Sequence, residues 1–139
     1  MRGVSPLALL TLPAGLLVSA CAADTTMIRT YQPPVGANEV LQGPIIAAPG
    51  HSLVMGDLVL PPNGTLARHF HAGEEFLYVL GGSAIVSRHG EMDVTLLAGQ
   101  GIRIAPGTVH WGRAGPEGVR AVASWVKPDG QPLRTPVPE

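Results

Sequence analysis

The stretch ARHFHAGEEFLYVLGG, Ala67 to Gly82, decides how this chain is read. The whole sequence of 139 residues holds 5 histidines, and His69 and His71 stand together here with one residue between them. Side chains alternate across a strand, so His69 and His71 share one face while Arg68 and Phe70 take the other. Ala72-Gly73 then turns the chain. Glu74 and Glu75 follow, ahead of an apolar run that ends at Gly81-Gly82. Two imidazoles and a carboxylate on an inward face are costly to bury without a compensating partner. A divalent cation supplies one, and this mix of nitrogen and oxygen donors suits Zn, Mn, Fe, Co, Ni or Cu.

Outward from this stretch the pattern is short strands with turns between. HSLVMGDLVL ends at Pro61-Pro62-Asn63-Gly64, and TLARHFH leads into the quoted segment. EFLYVL is expected to close at Gly81-Gly82. SAIVSR and MDVTLLA flank a hairpin turn at His89-Gly90. GIRIAP precedes a Pro106-Gly107 turn, and VHWGRA and VRAVASWVK are expected as two strands split by Gly115-Pro116. No segment longer than ten residues carries a helical period. The expectation is an all-β sandwich or barrel in a single domain.

Composition excludes several functions. The formal net charge is −1, and Lys and Arg do not cluster, so no nucleic-acid partner is expected. Aromatic residues make up 4% of the chain, too few for a base-stacking platform. There is no nucleophile paired with a histidine, no Gly-rich phosphate loop and no acid pair apart from the candidate metal site.

The chain opens with MRGVSPLALLTLPAGLLVSACAAD: a basic start, an apolar middle and small residues before Cys21, the single cysteine. That is the layout of a secretory signal. Val18-Ser19-Ala20-Cys21 resembles the lipobox of bacterial lipoproteins. The resemblance implies cleavage before Cys21, lipidation of its sulfur and anchoring to the bacterial cell envelope. Ala22 in place of Asp after the cysteine points to the outer membrane where two membranes exist. The expected division is a signal at 1–20, a tether at 21–38, a barrel at 39–127 and a Pro-rich tail at 128–139.

Two motifs resemble those of the cupin superfamily. The first is His69-x-His71-x3-Glu75-x6-Gly82, preceded by Gly64. The second is Gly99-x5-Ala105-Pro106-Gly107-x2-His110-x3-Ala114. The resemblance implies a double-stranded β-helix, or jelly-roll cupin barrel, that binds one divalent metal through three His and one Glu. Carried over by position, the ligands are His69, His71, Glu75 and His110. Three positions depart from the pattern. Gly64 lies one residue closer to His69 than usual, the proline position is Ala105 with Pro106 shifted by one, and the final Asn is Ala114. None removes a ligand. Small cupins also imply a homodimer, which would cover exposed sheet edges.

Glu74 is the rival of Glu75, and spacing to Gly82 favours Glu75. His51 and His89 read as surface residues. Arg68, Arg103 and Tyr78 point away from the expected site by parity, and Trp111 and Trp125 read as packing residues. Four protein ligands on an ion that prefers six leave about two positions open. Three functions fit: a metal-dependent oxygenase, isomerase or lyase on a small polar molecule; a non-catalytic binding or sensing protein; or a lipoprotein whose metal only braces the fold. The catalytic residues and the choice among Zn, Cu, Ni, Mn and Fe stay open at this point. Export through a signal with one arginine, Arg2, implies loading outside the cytoplasm, which favours the other ions over Fe.

Overall fold

The structure is a computed structural model that describes residues 33–139. The signal segment, Cys21 and most of the tether lie outside the described residues. Eight strands run in chain order: β1 (Gly36–Pro44), β2 (His51–Leu60), β3 (Thr65–Phe70), β4 (Glu74–Arg88), β5 (Val94–Leu97), β6 (Gly101–Ile104), β7 (His110–Pro128) and β8 (Thr135–Pro136). All pairings are antiparallel. The described residues contain no helix. This is the all-β architecture that the strand spacing implied, in the jelly-roll form that the resemblance implied.

β7 organises the sheet. Its second half, Val119–Pro128, lies between β2 and the first half of β4. Its first half, from His110, lies between β3 and the second half of β4. Here the structure corrects two expected breaks. Gly81-Gly82 does not close a strand, and Gly115-Pro116 does not split one: β4 and β7 each run through as single bent strands. The pairing slips between Val79 and Gly81 and again between Gly82 and Ala84. Bulges of this kind bend a strand while keeping its pairing. Gly82 sits at φ 69° and Gly118 at φ 82°. A Cβ on Gly82 would lie 2.1 Å from the Gly118 carbonyl oxygen. The two glycines let two backbones turn the same corner in contact.

Alternation sets the inner face. On β4, Glu75, Leu77 and Val79 point in, whereas Phe76, Tyr78 and Leu80 are 44–50% exposed. On β7, Val119, Ala121, Ala123 and Trp125 point in together. Val54, Leu58, Val86, Leu96 and Ile104 complete the core. Of the inward alanines on β7, Ala123 lines a cavity.

Both ends of the described chain join the barrel. β1 opens at Gly36, within the stretch read as tether. In the Pro-rich tail, β8 pairs with β3 through His69↔Pro136 and Phe70↔Thr135. The Val137 N–H donates to the Arg68 carbonyl at 3.1 Å. A proline inside a pairing is tolerated because β8 lies at the end of the strand order.

Candidate metal centre

Three segments bring the expected ligands together. His69 lies on β3 and pairs in register with His110, which opens β7. His71 follows the end of β3, and Glu75 is the second residue of β4. The turn between β6 and β7 is tied to His71 by the Gly107 N–H, which donates to the His71 carbonyl at 2.8 Å. Pro106-Gly107 therefore still forms the turn despite the shifted proline. The ligating atoms of His69, His71, Glu75 and His110 all lie within 4.8 Å of one another. Two ligands on opposite sides of a single ion are separated by about 4 Å. The four side chains are 2–6% exposed.

The histidines are oriented alike. His69 Nδ1 bonds to the Ala67 carbonyl at 2.7 Å, and His110 Nδ1 to the Thr108 carbonyl at 2.8 Å. His71 Nδ1 bonds to the Leu133 carbonyl. A carbonyl only accepts, so each Nδ1 carries the proton and each Nε2 keeps its lone pair. That is how proteins prepare imidazoles for a metal. Glu75 Oε2 lies 3.0 Å from His110 Nε2 and 3.2 Å from His71 Nε2. Even so, Glu75 Oε2 and His110 Nε2 are buried without a hydrogen bond of proper geometry. Adjacent polar atoms that do not satisfy each other fit an ion between them.

The electrostatics agree. Burial lowers the His69 pKa to about 4, outweighing the Ala67 hydrogen bond, so the ring is neutral and able to ligate at neutral pH. Burial would raise that of Glu75, but His110 and His71 rings that bear protons toward it lower it to about 2, so it is a carboxylate, and an ion in place of those protons acts in the same direction. Glu74 faces outward and pairs with Arg103 on β6. That leaves Glu75 as the inward acid.

Other residues fall on both sides of their sequence readings. Arg68 points outward and lies over the Trp111 ring, 4.3 Å from its centroid. His89 is exposed, and His51 is half-buried outside the cluster. Trp125 is packed in the core, as expected, but it also donates from Nε1 to His71 Nε2 at 3.1 Å. Its register partner on β4 is Glu75. Trp125, Leu133 and Arg134 join His69, His71 and Glu75 around a cavity of about 230 Å³. Parity alone placed Trp125 on the face of Ala123. Its nearness to Glu75 depends on cross-strand register, which no local pattern carries, and nothing in the tail sequence marks Leu133.

Residues 56–126 match the cupin domain family. The chain belongs to that family. No curated protein sequence matches it. Among solved structures, it is similar to an uncharacterized conserved protein with a double-stranded β-helix domain from Klebsiella pneumoniae. That match has 20% identity and a TM-score of 0.58, and covers 80% of this chain and 90% of the other. Oxalate decarboxylase from Bacillus subtilis is similar at 18% identity and a TM-score of 0.59, over 73% of this chain and 30% of that one. The DMSP lyase DddQ from Ruegeria pomeroyi is similar at 22% identity and a TM-score of 0.57, over 63% and 45%. The likeness thus spans less than half the length of either enzyme. At these identities it establishes the fold alone, a jelly-roll barrel; the His3Glu cluster positioned for a metal ion is seen in this chain's own geometry.

Proposed function

We propose that this protein is a metal-dependent enzyme of the bacterial cell envelope, an oxygenase, isomerase or lyase acting on a small polar molecule. His69, His71 and His110 hold one divalent transition metal through Nε2, and Glu75 holds it through its carboxylate. The observation that carries this reading is the shared orientation of the histidines, each with Nδ1 on a backbone carbonyl, which leaves Nε2 as the atom to ligate. The bound ion would supply Lewis-acid polarisation or oxygen chemistry at its open positions. The cavity beside it favours an open site over one that only braces the fold, because structural sites are closed. The decarboxylase and lyase among the structural neighbours lend the enzyme reading its precedent.

The chain's own groups have definite tasks in this reading. The Ala67, Thr108 and Leu133 carbonyls hold the imidazole protons on Nδ1. Burial keeps His69 neutral, and the apolar lining of Leu58, Leu66, Ala123 and Leu133 excludes water from the ligand's side. Cys21 carries the lipid anchor, on the strength of the lipobox resemblance. The barrel pairs as a homodimer to cover its open edges. Unfolded export favours Zn, Cu, Ni or Mn over Fe.

The composition of the purified protein, and then its turnover, test this. Protein purified from the native envelope should contain about one divalent ion per chain, with an intact mass showing a modified Cys21. Turnover is then sought among small polar compounds that raise its melting temperature. Envelope protein without an ion would end the metal reading, and a free Cys21 thiol would end the anchor. A ligand that binds but is never converted would favour a sensing protein. Iron at one ion per chain would overturn only the export-based choice of metal.

A further inference from the structure

An ion in the proposed site leaves one buried donor without its acceptor. The Trp125 indole N–H donates to His71 Nε2 at 3.1 Å. His71 Nδ1 is already committed to the Leu133 carbonyl, so Nε2 is the atom that would ligate. That nitrogen has one lone pair and cannot serve both the indole and an ion. Trp125 is 6% exposed, so bulk water does not replace the lost acceptor. An unsatisfied buried donor disfavours a state by roughly tenfold or more. The indole also has little room to turn aside. It lies against Gly56, where a Cβ would stand 2.9 Å from the ring's Cζ3 atom. The metal-loaded site therefore needs an acceptor at Trp125, and the cavity that Trp125 lines is where it would enter.

The charge of that acceptor follows from the rest of the cavity. A divalent ion with one carboxylate, Glu75, keeps a net positive charge. Arg134 adds another at the exposed mouth, where its Nη2 donates to the Ala67 carbonyl at 3.1 Å. The same carbonyl accepts the bond from His69 Nδ1. Among the described residues, no carboxylate lies within ion-pair distance of Arg134. Glu39 also lines the cavity, but it is exposed, so solvent weakens its opposition. The remaining wall is apolar. The cavity, about 230 Å³, lies below the roughly 300–1,000 Å³ of drug-sized pockets, so the space suits a small ligand.

We infer that Trp125 and Arg134 select a small carboxylate with a short apolar tail as the ligand of the metal centre. One carboxylate oxygen accepts the Trp125 N–H, Arg134 faces the negative charge, and the tail lies against Leu58, Leu66 and Leu133. The inference rests on the metal reading above and names the ligand class of that site.

The test uses the full chain loaded with Co²⁺, whose visible absorption reports its ligands. Butyrate is titrated in, with butyramide as its neutral counterpart. Butyrate should shift the cobalt bands saturably, and butyramide should not. Trp125→Phe should keep cobalt and raise the butyrate Kd about tenfold. Arg134→Gln should raise it about threefold, with the difference shrinking at high salt. Arg134 is exposed, so its variant keeps the test decisive even where Trp125→Phe disturbs the core. Equal butyrate Kd values in cobalt-loaded wild type and Arg134→Gln, or equal responses to butyrate and butyramide, overturn the inference while the metal site stands. Absence of cobalt bands in wild type before any butyrate is added defeats the metal reading and the inference together.

Discussion

Two parts of the inner surface are buried to the same depth and stabilised by opposite physics. Around Val79, Ala114 and Ala121, each 0% exposed, the contents are apolar. Removal from water stabilises them without any further partner. Around His69, His71, Glu75 and His110, 2–6% exposed, burial removes water from groups that need it. β4 and β7 supply residues to both regions, so neither strand sequence nor depth separates them. The difference is that the apolar region is complete as folded, whereas two buried atoms of the polar one lack a satisfied partner. Stability should therefore respond to an added ion through the polar region alone.

The largest expected effect breaks the polar region. His71→Ala should weaken metal binding by more than the ~10–100-fold that outer partners of a ligand are worth. It should also abolish the stabilisation by added ion, about 2.7 kcal/mol in wild type at a hundred times Kd. Calorimetric titration and melting with and without ion check both. Next comes Gly82→Ala, at the corner where β4 and β7 bend together. A side chain at φ 69°, 2.1 Å from the Gly118 oxygen, should destabilise by at least about 2 kcal/mol in chemical denaturation. Val79→Ala, in the apolar region, should lose about 2 kcal/mol while metal content measured per chain stays at the wild-type level.

Acid sharpens the same contrast in metal-free protein. The His69 pKa is lowered from 6.5 to about 4 by burial. Below 6.5 the unfolded chain takes up a proton that the folded chain refuses until about 4. His69 should therefore contribute a loss of stability as pH falls from about 6.5 to 4, and no further loss below that. Denaturation midpoints across this range should fall less steeply in His69→Ala and at the wild-type slope in Val79→Ala. The smallest effect is that of His51→Ala, which should change neither metal content nor melting temperature.

How much of this the sequence disclosed depends on the range of each interaction. Alternation along β4 and β7 is local, so the inward faces were legible, as were the two motifs that bring His69, His71, Glu75 and His110 together. The unbroken course of β4 and β7 was not. A glycine pair looks the same in sequence whether it turns a chain back or bends a strand, and only the pairing of Gly82 with Val119 decides. Trp125 was legible as buried but not as a donor to His71, because that contact joins residues 54 positions apart. The Leu133 carbonyl is a backbone group, and no side-chain pattern in a Pro-rich stretch announces where it will point.

The central claim is that these four side chains hold one ion, and elemental analysis of purified wild type beside a His69→Ala/His71→Ala double variant tests it most directly. Both proteins are prepared and dialysed identically, and circular dichroism confirms that each retains its β structure. The account predicts about one divalent transition metal per chain in wild type and a trace in the variant. Equal metal content in the two folded proteins would contradict it.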